Sequence, residues 1–356
     1  MAILYRRIWN WFRLEVWVIP WRMILFGFVL VIGLLPLITM NAYVLRILTF
    51  ACIFAIFSAS WDLLSGYVGQ LSLGHCAFFG VGAYTSALLN IHLKLPPVIT
   101  IPCGAAMAVL AGLVIALPTM RLRGFYLSLV TMAFPFVLGG LIFIFPDVSG
   151  GEMGIYGVTR LAGSPLSIFY ISLIIMVLSL IVMWKLTDAE SRFIRTGVIF
   201  FAIREDEIAA RASGINTSLY RTFGFCFSGF FAGLAGALYA HVMRIAGPST
   251  LEMLLSFDVI LWAIFGGSTT IYGAMIATFI LYPLMEIIRL HPIGEEFRIV
   301  FKACLLIVVI TFMPHGITRW IRDHIEEDCP RCKIINLWTH KYCRACRAPM
   351  KAERTG

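Results

Sequence analysis

The sequence predicts an all-α, polytopic transmembrane helical bundle of about ten spans with discontinuous helices, followed by a small four-cysteine C-terminal tail. Composition is the first reason. Of 356 residues, 60% are hydrophobic and only 13% are charged, about half the ~25% charged share of an ordinary globular domain. Length is the second, because a span needs about 20 apolar residues and ten spans would use roughly 200. The third is glycine, concentrated inside apolar stretches where it interrupts a helix. A water-soluble fold of this size would have too few polar side chains for its surface. Soluble enzymes, disordered chains and secreted disulfide scaffolds are therefore excluded.

Residues 1–22 combine Trp9, Trp11, Trp17 and Trp21 with Arg6, Arg7, Arg13 and Arg22, a composition suited to an interfacial segment at headgroup level. Apolar runs follow near 23–40, 43–63, 75–92, 98–118, 125–145, 167–184, 222–243, 256–266, 270–289 and 298–313. Each interior run must be helical, since the bilayer offers the backbone no water. No small-residue cleavage site follows the first run, so it reads as a retained anchor. Arg121 and Arg123 fill the turn after the fourth run, and Lys185, Arg192, Arg195, Arg204, Arg211 and Arg221 lie in the loop after the sixth. With ten spans these segments share one side with both termini, which the excess of basic residues makes cytoplasmic. The net charge of +9 fits such basic edges and needs no nucleic acid.

Between residues 65 and 84 lie Gly66, Gly69, Gly74, Gly80 and Gly82, together with Gln70, Ser72 and His75. Irregular backbone at membrane depth survives only where protein buries it or where it lines a wet cavity. The segment reads as a broken or re-entrant element beside a pathway, or as a tight interhelical packing face. Gly224, Ser228, Ala232, Gly236 and Ala240 recur every four residues in the seventh run, a spacing that lets helix backbones approach closely. Gly266 and Gly267 mark a second break. Asp258 sits in the eighth run, where a carboxylate is costly and needs a partner; it reads as a functional charge beside the pathway or as a solvated group near the interface.

The loop 185–221 contains a stretch, residues 202–214, that reads as one short helix. Glu205, Asp206 and Glu207 fall in its first turns, favourable for the helix dipole. Glu207 and Arg211 are spaced for an i,i+4 pair, Gly214 is placed as a stop, and Ile203, Ala209 and Ala210 offer a small apolar stripe. Such a helix suits docking, or is a solvated surface helix.

The run Gly69-Gln-Leu-Ser-Leu-Gly-His75 followed by Phe79-Gly-x-Gly-Ala-Tyr84 resembles the signature of branched-chain amino acid ABC transporter permeases. Arg121-Leu-Arg-Gly124, Ser149-Gly-Gly-x-x-Gly-Ile155, residues 202–216, Ser256-Phe-Asp258 and Gly266-Gly267 extend the resemblance over roughly residues 25–315. It implies an importer subunit of the inner membrane that pairs with a second permease and receives solute from an extracytoplasmic binding protein. It also implies that residues 202–216, including Arg204, Glu205, Asp206, Glu207, Ala209, Ala210 and Gly214, form the coupling helix seated in a cytoplasmic ATPase. Phe125 and Pro135-Phe136 stand where the family often carries acidic groups, so the solute is open between amino acids and the urea or short amides of related importers. No Walker-type phosphate loop occurs, and no paired-carboxylate or nucleophile-elbow pattern supports an intramembrane hydrolase built on Ser72, His75 and His241.

Finally, Cys329-Pro-Arg-Cys332 and Cys343-Arg-Ala-Cys346 form two knuckles whose four thiolates can close a tetrahedron about structural zinc. Cys52, Cys76, Cys103, Cys226 and Cys304 lie singly in apolar stretches and read as small hydrophobes. From residue 329 onward seven Lys or Arg face one acid, Glu353, a balance suited to anionic headgroups of membrane lipids. The expected organisation is therefore an interfacial segment 1–22, a permease body 23–315, a linker 316–328 and a zinc-ribbon-like tail 329–356. A membrane-anchored zinc sensor or scaffold is the alternative of another class.

Overall fold

The computed structural model describes residues 20–38, 41–119, 122, 124–188, 195–289, 300–305, 307–308, 311, 316–318, 326–329, 331, 335–337 and 346. Residues 1–19, Arg121, Arg123, Arg192, Cys332 and Cys343 lie outside the described residues, so the expectations placed on them are not addressed. The chain divides into a body, Met40–Pro314, and a second unit, Met1–Thr39 with His315–Gly356.

The second unit contains helix α1 (Pro20–Ile38) and an antiparallel hairpin of β3 (Glu326–Asp328) and β4 (Ile335–Leu337). The body contains α2 (Ala42–Trp61), α3 (Cys76–Leu93), α4 (Pro97–Thr119), α5 (Phe125–Ile144) and α6 (Pro165–Thr187). Two short helices, α7 (Thr196–Glu205) and α8 (Glu207–Ala212), precede α9 (Thr217–Met243), α10 (Met253–Gly266) and α11 (Ile271–Arg289). Two-residue strands β1 (Ile155–Tyr156) and β2 (Ile245–Ala246) pair antiparallel.

Among the described residues, seven helices are long and apolar enough to cross a membrane: α2 with its extension to Tyr67, α3, α4, α5, α6, α9 and α11. The fold is thus the all-α, multi-pass bundle that composition predicts. Of the other three expected spans, Gly27–Leu37 and α10 are shorter apolar helices, and the run 298–313 is helical wherever it is described. With its 14 residues, α10 is about 21 Å long against a hydrocarbon thickness of about 30 Å. It is too short to cross alone, which corrects its place among the ten expected spans.

At the centre α9 packs on α3 and α4, and α2 packs on α6, α10 and α11. The small residues of α9 explain the first contact. A Cβ added to Gly236 would overlap the Phe79 carbonyl, one on Gly82 would overlap Gly233, and one on Gly104 would overlap Gly82. Three backbones therefore touch without side chains between them. Helix α2 solves the opposite problem: it is apolar on every face and is buried on every face from Leu48 to Trp61. Its Phe50, Phe54 and Phe57 interlock with Phe79, Tyr239, Trp262 and Tyr282, with ring centroids as close as 4.8 Å for Phe57–Phe79. The two groups of helices are joined by that aromatic seam.

Gly236→Ala is expected to lower stability by about 3 kcal/mol or more, beyond ordinary overpacking, because the displaced atom is a backbone carbonyl. Gly140, whose added Cβ meets nothing within 4 Å, should accept alanine with a gain of about 0.5 kcal/mol. Thermal unfolding in detergent distinguishes the two.

Candidate functional site

The break predicted after the second span is present, and its form follows from which backbone groups find partners. Helix α2 widens into a π-turn at Asp62–Tyr67 and then loses regular structure from Val68 to His75 before α3 begins. Backbone polar groups here must be satisfied by protein. The Trp61 indole donates to the Ser72 carbonyl at 2.7 Å, and the Ser65 hydroxyl donates to the Gln70 carbonyl at 3.1 Å while accepting from the Ser72 N–H at 3.2 Å. From α5, Ser128 donates to the Leu71 carbonyl (3.2 Å) and Thr131 accepts from the Leu73 N–H (3.2 Å). From α10, Ser256 accepts from the Cys76 N–H at 2.9 Å. Pro135 lacks an N–H, so it leaves the Thr131 carbonyl without its usual helical donor; Gly74 packs directly on that carbonyl, where any Cβ would collide.

The three polar residues of the break occupy different surroundings. All are buried. His75 has its Nε2 2.9 Å from the Ser60 hydroxyl and its ring stacked on Phe57 at 5.2 Å. Ser72 is held through its backbone, and its hydroxyl has no hydrogen-bond partner among the described residues. Gln70 accepts a 2.7 Å hydrogen bond from Arg221, which leads to the second part of the site.

Arg221, at the start of α9, is 1% exposed and among the largest wholly buried side chains. Besides Gln70, its guanidinium donates to the Leu122 carbonyl at 2.9 Å and reaches Glu207 Oε1 at 3.4 Å. Glu207 is also bonded by Arg211 at 2.9 Å, the predicted i,i+4 pair, and by the Thr217 hydroxyl at 3.3 Å. A buried cation is tolerable only with such an acid and several acceptors. This network fastens the break, the end of α4 and α8 to one another. Gly69, at φ +77°, lies against the backbone of Arg204 in α7 and extends the contact. A cleft of about 290 Å³ opens beside it, lined by Val68, Gln70, Ile203, Glu205, Glu207 and Arg221.

The expected single helix over 202–214 is corrected: there are two helices. Asp206 is extended (φ −153°, ψ 103°), ends α7 and caps α8, its carboxylate accepting from Ile208 N–H at 2.8 Å and Ala209 N–H at 3.0 Å. Capping two N–H groups fixes the corner. The apolar stripe also divides. Ile203 and Ala210 turn inward, whereas Ala209 and the 68%-exposed Ile208 turn outward. Gly214 takes φ +85° and stops α8 as expected.

Asp258 has a partner that its own run did not reveal: Lys302, 2.5 Å away in the last apolar run. One feature escaped sequence reasoning. Asp62, wholly buried, accepts from the Thr269 N–H at 2.8 Å and so caps the turn between α10 and α11; Gly66 makes room, since a Cβ there would strike the Asp62 carboxylate. Its position one turn before a glycine was the available signal. His241 bonds Ser86 (3.0 Å) and Thr100 (2.8 Å) through Nε2, and the Thr159 carbonyl (2.8 Å) through Nδ1. A carbonyl only accepts, so Nδ1 carries a proton, and in the neutral ring Nε2 presents its one lone pair to the two hydroxyls. Among the described residues Ser72 bonds neither His75 nor His241; those histidines are paired with Ser60 and Ser86 instead.

A multi-pass bundle whose broken helix is pinned to a pair of short helices outside the spans has the organisation of a membrane transport subunit. The chain belongs to the family described as branched-chain amino acid transport system / permease component, whose model matches residues 43–310. It is similar to the high-affinity branched-chain amino acid transport system permease protein LivM of Escherichia coli strain K12, 27% identical over 309 residues, covering 79% of this chain and 71% of that protein. A probable branched-chain amino acid transport permease protein LivH of Methanocaldococcus jannaschii is 26% identical, covering 83% and 92%. The ribose import permease protein RbsC of Haemophilus influenzae is 25% identical, covering 72% and 77%. No solved structure matches the chain.

Arg221→Ala is expected to cost about 3–5 kcal/mol, the usual penalty for breaking a buried ion pair from one side. Glu207→Gln should cost less, and the double variant less than the sum of the two. Thermal unfolding of all three in detergent would show additive losses if the residues were not coupled.

Proposed function

We propose that this permease is the translocation subunit of an ATP-driven importer for branched-chain or other small amino acids, and that α7 and α8 are the lever by which a separate ATPase moves the broken helix. The single observation that carries this reading is Arg221, which bonds Gln70 of the break and Glu207 of α8 at once. A displacement of α8 cannot leave the break behind without uncovering a buried charge. The exposed face of α8, with Ile208 and Ala209, is the surface offered to the ATPase.

In this reading the chain lies in the inner membrane with α7, α8 and both termini on the cytoplasmic side. It works with a second permease subunit, two cytoplasmic ATP-binding subunits and an extracytoplasmic solute-binding protein. Gln70, Ser72 and His75 border the path through their shared element, and Asp258 contributes a paired charge rather than a solute contact. The amino-acid assignment is supported by what the LivM and LivH relatives are named for, and the ribose relative defines the contrast to test.

Ile208→Glu and Ala209→Arg alter only outward-facing side chains. Each is expected to leave the melting temperature unchanged while reducing ATP-dependent uptake in vesicles about tenfold or more, equivalent to about 1.4 kcal/mol of lost docking. Co-purification of the ATPase should fall in parallel; full uptake with full ATPase capture would refute the lever. For the solute, vesicles holding the assembled transporter are expected to accumulate leucine in preference to ribose or urea, and the reverse preference would overturn the assignment.

A further inference from the structure

Beyond the transport core, whose family match ends at residue 310, the chain carries a site of a different chemistry. We propose that Cys329, Cys332, Cys343 and Cys346 bind one zinc ion as four thiolates. Two observations converge on this. The sequence places two Cys-x-x-Cys knuckles ten residues apart, which is the ligand spacing of structural zinc sites. The structure brings one cysteine of each knuckle together: the sulfurs of Cys329 and Cys346 are 3.5 Å apart. Four sulfurs about 2.3 Å from a zinc ion stand about 3.8 Å from one another along the edges of the tetrahedron, so this pair already approximates one edge.

The backbone presents the first knuckle suitably. Strands β3 and β4 pair in register Glu326 with Leu337 through Asp328 with Ile335. Cys329 follows β3 directly, so the first knuckle begins the connection between the two strands. The Cys329 side chain is wholly buried and Cys346 partly so, in a segment whose sequence offers few apolar residues to bury. Among the described residues alone no cluster of three or more metal-ligating side chains is complete; Cys332 and Cys343 lie outside them and enter through their spacing. Three residues of chain reach at most about 10 Å, so each is confined near its partner cysteine. Binding would release the thiol protons to solvent and cross-link this short hairpin.

The test uses the full chain in detergent, with metal content measured by mass spectrometry of the elements. About one zinc per chain is expected, lost from Cys329→Ser/Cys346→Ser and from Cys332→Ser/Cys343→Ser but kept in Cys103→Ser. Replacement by cobalt should give the thiolate charge-transfer band and the intense visible bands of tetrahedral coordination. These bands would separate a true site from an unfolded variant, because they are read on the unaltered chain. Absence of zinc and of the cobalt spectrum when both metals are supplied would overturn the proposal. So would zinc retained by either double variant, or recovery of a Cys329–Cys346 disulfide without metal. None of these outcomes depends on the transport reading.

Discussion

A buried N–H or C=O without a partner has no water to turn to, and the stretch Val68–His75 has given up its helical partners between two spans. Its survival requires Trp61, Ser65, Ser128 and Thr131, contributed by α2 with its π-turn and by α5, while Ser256 of α10 holds the first N–H of α3 just beyond it. Three helices distant in sequence are thereby committed to positions around one loop. Each hydroxyl is worth only about a kilocalorie in ordinary circumstances, yet leaving its buried partner unmet would cost about 1–3 kcal/mol. The break is therefore less a flaw in a helix than the place where the arrangement of the body is specified.

The same economy explains the charge at the end of α9. Arg221 would be prohibitive alone, but it replaces helix packing where α4, the break and α8 converge. Asp206 turns the chain between α7 and α8, and Glu207 follows immediately to meet the guanidinium. One residue sets the corner and the next sets the contact. Asp62 performs a related task at another turn, fastening Thr269 through a gap that Gly66 keeps open. Glycine in this protein serves two ends: in α9 and α3 it brings helices together, and beside Asp62 it admits a carboxylate.

Much of the bundle could be read from composition because apolar runs of span length have few alternatives. The α9 packing face was equally legible, since a four-residue recurrence of small side chains has one principal use. The Glu207–Arg211 pair and the Gly214 stop are local, and so they too could be anticipated. The corner at Asp206 was missed: acidic residues suit the first turn of a helix and the cap before it alike, and only the φ and ψ of the chain distinguish the two.

What the sequence by itself determined is the material of the structure: membrane helices, a glycine-rich interruption, a charged loop between spans and two cysteine knuckles. These depend on local composition and spacing, which do not change with the path of the chain. Only the tertiary structure decided which distant groups complete one another, such as Gln70 with Arg221, Asp62 with Thr269, and Asp258 with Lys302. A buried polar group must find a complement, but its type says nothing of where along the chain that complement lies. Helix packing brings those positions together, and so it is packing that turned a list of polar residues into a linkage between a broken span and a lever.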